Sequence, residues 1–196
     1  MASINKGYKM LKDDKEYIEG YFKICELFNR KRTLIDIYKE DSRKSKRKKS
    51  PETTKKEQRE ISDINTGIKK QDRLFWNKVD RSLKKGKHFA MEKLAAHYSL
   101  DLFEKKILLF FIYLEFHHIS KNVCSENELV TTFDCEDSII NKMKRLQYFT
   151  PAGALIKNRI IVKESRRAYI YSVMEYALSY EALDLFSKML NGADIE

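Results

Sequence analysis

The stretch Arg159–Ser172, RIIVKESRRAYIYS, breaks the pattern of everything before it. Ile160, Ile161 and Val162 are β-branched neighbours, and Ala168–Ser172 alternates. The charged run Glu164–Arg167 between them reads as a turn, so the stretch predicts a β-hairpin with a charged tip. Upstream, Pro151 and Gly153 stop a helix, and the period changes from about two to about 3.6 residues. Leu102–His118 is apolar almost all round from Ile107 to Leu114, which marks a central buried helix. Ser99 or Asp101 is placed to cap this helix, and from Asp101 the residue Glu104 would complete a capping box; Ser125 with Glu128 has the same spacing at the next helix. Before them, Phe89, Leu94, Ala95 and Tyr98 make a short helix. After them, Asp134 or Asp137 is expected to cap a third. That helix would turn Ile139, Ile140, Met143 and Leu146 inward and Asn141, Lys142, Lys144 and Arg145 outward. Downstream, Val173–Asn191 reads as an amphipathic helix with Gly192 placed as its C′ residue.

Three helices followed by a two-stranded ribbon is the order of a winged helix. The expected fold class is therefore mainly α with a small β-hairpin, a winged-helix-like domain over residues 88–196. Residues 1–40 carry an apolar stripe through Ile18, Tyr21, Phe22, Ile24, Cys25, Phe28, Leu34 and Ile35, the mark of one helix or of two broken near Arg30. Residues 41–61 hold no apolar side chain before Ile61 and are expected to be a disordered basic linker. Residues 62–87 resume a weaker helical pattern and are expected to form a helical connector.

The formal net charge is +10, and its location matters. Arg43–Lys56 holds eight basic residues and one acid, so this short segment supplies +7 and leaves the rest of the chain near balance. Its core, Arg43, Lys44, Lys46, Arg47, Lys48 and Lys49, has the composition of a polyanion-binding or localisation tract. Gly (6) and Pro (2) are scarce, which favours long helices. No apolar run approaches the ~18 residues of a membrane span, and no membrane partner is expected. The three cysteines have no paired spacing, as befits free thiols in a reducing compartment, so a cytoplasmic chain is expected, or a nuclear one if the basic tract is a signal.

A family resemblance rests on two segments. Leu94–Leu109, LAAHYSLDLFEKKILL, resembles the L-A-x-x-F-x-L-S-x-F-E-x-x-I-L-L opening of the winged-helix module that precedes the ATPase core in some AAA-family ATPases. Leu146–Ile156, LQYFTPAGALI, is similar to that family's bend before its hairpin. The likeness covers about half the chain, from Phe89 to Gly192. It implies a module that holds partners. It implies nothing about nucleotide hydrolysis, because these 196 residues hold no ATPase core; on this resemblance the chain is either an N-terminal fragment or a stand-alone relative.

Catalytic chemistry finds no foothold. Gly86-Lys87-His88 lacks both the first glycine and the hydroxyl of a phosphate-binding loop. His117, His118, Cys124 and Cys135 lack the close pairing of zinc ligands; the adjacent histidines suit a helix C-terminus instead. No catalytic residue, metal or cofactor is expected. The candidate nucleic-acid contacts are Asn141, Lys142, Lys144 and Arg145 on the third helix, with Arg166 and Arg167 at the hairpin tip and the basic tract. That is how winged helices meet DNA. Against it, Asp134, Glu136 and Asp137 place three acids where that helix begins. A non-catalytic adaptor contacting protein partners is the leading expectation, and a DNA-binding transcription or plasmid-maintenance factor the alternative.

Overall fold

Two long helices open the chain, α1 (Asp14–Lys44) and α2 (Pro51–Lys84), and pack against each other. The computed structural model describes residues 10–44, 50–119, 123–136, 138–167 and 172–191, leaving aside the side chains of residues 44, 164–167 and 172–174. On α1 the spacing of Tyr17, Tyr21, Ile24, Cys25 and Phe28 gives one face, and each is at most 2% exposed. The helices approach closely at Gly20, where an added Cβ would stand 3.1 Å from the Phe75 ring.

The stretch 41–61, expected to be disordered, is instead the end of α1 and the start of α2; only residues 45–49 lie outside the described residues. The missing apolar residues exclude a buried stretch, not a helix. Lys, Glu, Gln and Arg are good helix formers, and the start is well specified. Ser50 Oγ accepts the Thr53 amide at 3.2 Å, and Pro51 stands in the first turn, where its missing N–H costs nothing. The Tyr38 hydroxyl then donates to Glu60 at 2.6 Å across the helix pair.

The remaining elements are α3 (Ala90–His97), α4 (Leu102–Phe116), β1 (Cys124–Ser125), α5 (Glu126–Phe133), α6 (Ile139–Leu146), α7 (Ala154–Lys157), β2 (Ile161–Arg167), β3 (Ser172–Leu178) and α8 (Tyr180–Leu190). α4 is the central helix, with Ile107–Leu114 each at most 5% exposed. Both predicted capping boxes are present, Asp101 with Glu104 and Ser125 with Glu128. Glu104 does more than close its own box: its other oxygen accepts the Ala154 amide at 2.8 Å and ties α7 to the start of α4. Gly153 precedes that contact, and a Cβ there would run into the Tyr148 carbonyl oxygen. The N-terminal helices share this core. Asp14 accepts the Ala90 amide at 2.6 Å, standing in for a side-chain cap on α3, and the Tyr17 hydroxyl donates to Glu92 at 2.7 Å.

The sheet is antiparallel with order β1-β3-β2. β2 and β3 pair from Ile161 opposite Leu178 to Arg167 opposite Ser172, so the hairpin is longer than its sequence suggests. Glu164–Arg167, expected as the turn, belong to β2. Val173–Leu178, expected to open the last helix, belong to β3. Apolar residues at 174, 177 and 178, spaced i, i+3 and i+4, read as helical although they lie in a strand. The cap decides: Ser179 Oγ accepts the Ala182 amide at 3.1 Å, and α8 starts only there. Residues 168–171 and Gly192 lie outside the described residues. β1 pairs Cys124 with Tyr176 and is too short for any periodicity to announce it.

Alkaline pH is expected to unfold the protein. Burial pushes Tyr21, Tyr17 and the Cys25 thiol well above their ordinary values, with the Glu92 charge adding to the effect at Tyr17. The folded chain keeps these protons while the unfolded chain loses them, so stability is whole below the ordinary values of 9.0 for the thiol and 10.0 for the phenols, and falls above them. The Tyr21 hydroxyl has no hydrogen-bond partner among the described residues. Tyr21→Phe is therefore expected to be neutral or to stabilise by up to about 1–2 kcal/mol, and to soften the alkaline limb. Urea midpoints of both proteins at about pH 7 and about pH 11 test this. A loss above ~1 kcal/mol at neutral pH would show that the hydroxyl is satisfied.

Candidate interaction surface

α6 is short, and its orientation decides what the domain offers a partner. Ser138 caps it, its Oγ accepting the Asn141 amide at 3.3 Å. This corrects the expectation that Asp134 would do so; Asp137 is outside the described residues. The helix is also turned about its axis relative to the sequence reading. Ile139, Ile140 and Met143, expected inside, are 74%, 65% and 66% exposed. Of the four apolar residues only Leu146 reaches the core. Lys142 and Arg145, expected outside, lean inward on Asp134.

Asp134 explains the inversion. It follows α5 directly, and its side chain is fully buried. A buried carboxylate is costly unless cations face it. Lys142 and Arg145, three residues apart and so on one helix face, supply them: Lys142 Nζ lies 3.8 Å and Arg145 Nη1 3.6 Å from its two oxygens. The Arg145 guanidinium also sits 5.2 Å over the Phe103 ring. Turning the other way would bury Ile139 and Met143 and strand the carboxylate. The amphipathic pattern of α6 is correct as a pattern, and the buried acid sets which face points in.

A third cation reaches this corner from α1. Lys31, 2% exposed, donates to the carbonyls of Thr132 at 3.1 Å and Asp134 at 2.6 Å. It satisfies carbonyls at the C-terminal end of α5 and faces the negative end of that helix. Burial lowers its pKa from the ordinary lysine value, with nearby charges acting in both directions. A cleft of about 510 Å³ opens here between α1, α2 and the α5–α6 junction, lined by Lys31, Asn65, Lys69, Asp134, Cys135 and Lys142 among others. Burial raises the Cys135 thiol, while the Lys31, Arg145 and Lys69 charges pull it down.

The other sequence-predicted residues are scattered. Asn141 donates to Glu136 at 3.1 Å, which also pairs with Lys69 at 3.4 Å. Lys144 is exposed. Arg43 stands exposed in the last turn of α1 and Lys44 ends that helix, while Lys46, Arg47, Lys48 and Lys49 lie outside the described residues. Arg166 and Arg167 sit in β2 opposite Val173 and Ser172 rather than in a turn. His117 is the C-cap of α4 with Nδ1 3.2 Å from the Tyr113 carbonyl, and His118 follows with φ 46°. Cys124 Sγ is 2.9 Å from the Arg32 guanidinium in the core. Among the described residues no group of three His, Cys, Asp or Glu side chains is placed to hold a metal, and no helix is long and apolar enough to cross a membrane. The exposed triplet Ile139, Ile140 and Met143 escapes sequence reasoning as a site, because its spacing reads as core.

The family model described as "Winged helix domain, variant" matches residues 3–178. The chain belongs to that family. The match runs through α1 and α2, so the variant winged helix takes in the N-terminal helices as well as the three-helix and hairpin region. No curated protein and no solved structure matches the chain. Winged helices serve as binding modules for DNA or for proteins, and in this one the outer face of α6 is apolar.

Proposed function

We propose that this winged helix is a non-catalytic, cytoplasmic adaptor or assembly module that contacts a protein partner through the outer face of α6. The exposure of Ile139, Ile140 and Met143 on that one face carries the reading. A contiguous apolar patch is unusual on a surface with no partner, and it is what the centre of a protein interface needs. Phosphate gains nothing from such side chains. The inward turn of Lys142 and Arg145 also removes two of the cations that a groove-reading helix would use. The resemblance to modules that precede AAA ATPase cores fits an assembly role. Exposed Lys144 and the basic segment Arg43–Lys56 favour the second reading, a DNA-binding factor.

An electrophoretic mobility titration of the full chain at two salt concentrations separates the readings. The adaptor reading expects binding that is weak, indifferent to sequence and dependent on Arg43–Lys49, since a lysine-rich segment reads charge and not base edges. Preference for one DNA sequence by ~10³ or more would overturn it.

A further inference from the structure

We infer that the outer face of α2 is a second contact surface, one that lies across duplex DNA and grips its phosphates without reading its sequence. It is separate from the α6 face and uses none of its residues.

The face follows from helical spacing. Ile64, Ile68, Phe75 and Val79 bury one side of α2 against the core. At 3.6 residues per turn, Lys55, Arg59, Thr66, Lys70, Arg73 and Asn77 fall within about 60° on the opposite side, with Lys56 about 40° beyond them. All are exposed, and from Glu52 to Arg81 no exposed side chain of α2 is apolar. On α1 and α8 exposed lysines pair within the helix, Lys15 with Glu19 and Lys188 with Asp184, and near the end of α2 itself Lys84 is held by Asp80 at 2.7 Å. Lys55, Lys56, Arg59, Lys70 and Arg73, by contrast, have no ion-pair partner among the described residues. Lys55 and Arg59 stand four apart and Lys70 and Arg73 three apart, so each pair repels along the helix, and an anion laid over it removes that cost.

The composition of the face selects the partner. A protein interface needs an apolar centre, and a helix lying on a membrane needs apolar side chains to sink into it; this face offers neither. A single nucleic-acid strand is held by stacking its bases on aromatic rings, and none is exposed on α2. Phosphates are bound by Lys and Arg with Thr and Asn as hydrogen-bonding neighbours, and those are the residues present.

The spacing selects the duplex. Arg59 and Lys70 are about 17 Å apart along the helix axis, with Asp63 between them. The major groove of B-form DNA is about 12 Å wide. Laid across that groove, α2 puts Lys55, Lys56 and Arg59 on one flanking strand and Lys70 and Arg73 on the other. The acid then stands over the open groove, away from phosphate. The deep, narrow major groove of an RNA duplex leaves no such span.

The test is a fluorescence-anisotropy titration of the full chain on a short labelled DNA duplex of random sequence, over a series of salt concentrations. Arg59→Gln/Lys70→Gln/Arg73→Gln is expected to flatten the slope of log affinity against log salt by about 2–3, at roughly 0.9 for each phosphate no longer neutralised. Its urea midpoint should match the parent's, because all three side chains are exposed and unpaired. If the midpoint falls, Lys70→Gln/Arg73→Gln is read in its place, with a flattening of about 2. Lys12→Gln/Lys15→Gln/Lys188→Gln removes the same charge from other surfaces and is expected to leave the slope unchanged. Equal flattening in both triple variants would mean net charge alone and overturn the inference. A slope unmoved by the α2 substitutions, or no binding to the duplex, overturns it as well. Tighter binding to a single strand or to an RNA duplex overturns the choice of duplex DNA. Polyglutamate or phosphatidylserine vesicles that displace the duplex at equal charge concentration overturn it in favour of an acidic protein or a membrane. The α6 docking reading is decided separately, by sequence preference.

Discussion

Phe110→Ala is expected to lower the free energy of unfolding by about 2–5 kcal/mol, the range for removing a large side chain from a site that cannot collapse. Phe110 is fully buried at the middle of α4. Its ring lies 5.5 Å from Phe133 and 6.2 Å from Phe28, and the Arg32 guanidinium stands 5.9 Å over it. The ring therefore joins α1, α4 and α5, and its loss leaves a cavity that all three helices would have to move to fill. Leu109→Ala should fall in the same range, since Leu109 is also fully buried. Ile140→Ser on the exposed face is the control, and a change within about 0.5 kcal/mol is expected there. Urea unfolding of the three variants gives the contrast directly. Losses below ~1 kcal/mol at both α4 positions would mean that this helix is not the core.

The contrast between α4 and α6 shows where the sequence was legible. α4 needed only its own residues: an unbroken apolar run between a capping box and a histidine end is buried whichever way it turns. The capping boxes at Asp101 and Ser125 were equally readable, because a cap is a local hydrogen bond between residues three apart. The hairpin was legible as a hairpin but not in length, since the i, i+3, i+4 spacing of Met174, Ala177 and Leu178 reads as a helix although they lie in β3. The α1–α2 pair was legible as helix but not in extent, because a charged stretch with no apolar residue reads as unstructured when its cap and its partner helix are left out. At α6 the pattern was right and the direction wrong. Amphipathicity states that two faces differ; it does not state that the apolar face is the buried one. That was settled by Asp134, four residues before the helix-capping Ser138, and by the burial of a carboxylate that sequence spacing alone gives no reason to expect. The candidate site lies in this inversion.

The double replacement Lys142→Ala/Arg145→Ala tests it. Stability is expected to fall by on the order of 3 kcal/mol, because removing the partners of a buried charge leaves that charge uncompensated. Asp134 has a fully buried side chain, and the two cations facing it are 31% and 23% exposed, so the cluster is shielded from solvent on the acid's side and partly open on the other. Adding Asp134→Asn should recover much of the loss, since a neutral amide is cheaper to bury than a carboxylate. Lys31 keeps its place in all these variants, because it binds the backbone carbonyls of Thr132 and Asp134 and not the carboxylate. The DNA-binding reading expects something else of the same double variant. If Lys142 and Arg145 met phosphates, folding would be nearly unchanged, and the slope of log affinity against log salt would flatten by about 0.9 for each phosphate no longer neutralised. Adding Arg166→Ala and Arg167→Ala would flatten it further. Thermal unfolding and a salt-dependent mobility titration of one preparation therefore decide between the two. A double variant as stable as the parent, but with a shallower salt slope, would take both side chains off Asp134 and place them on DNA.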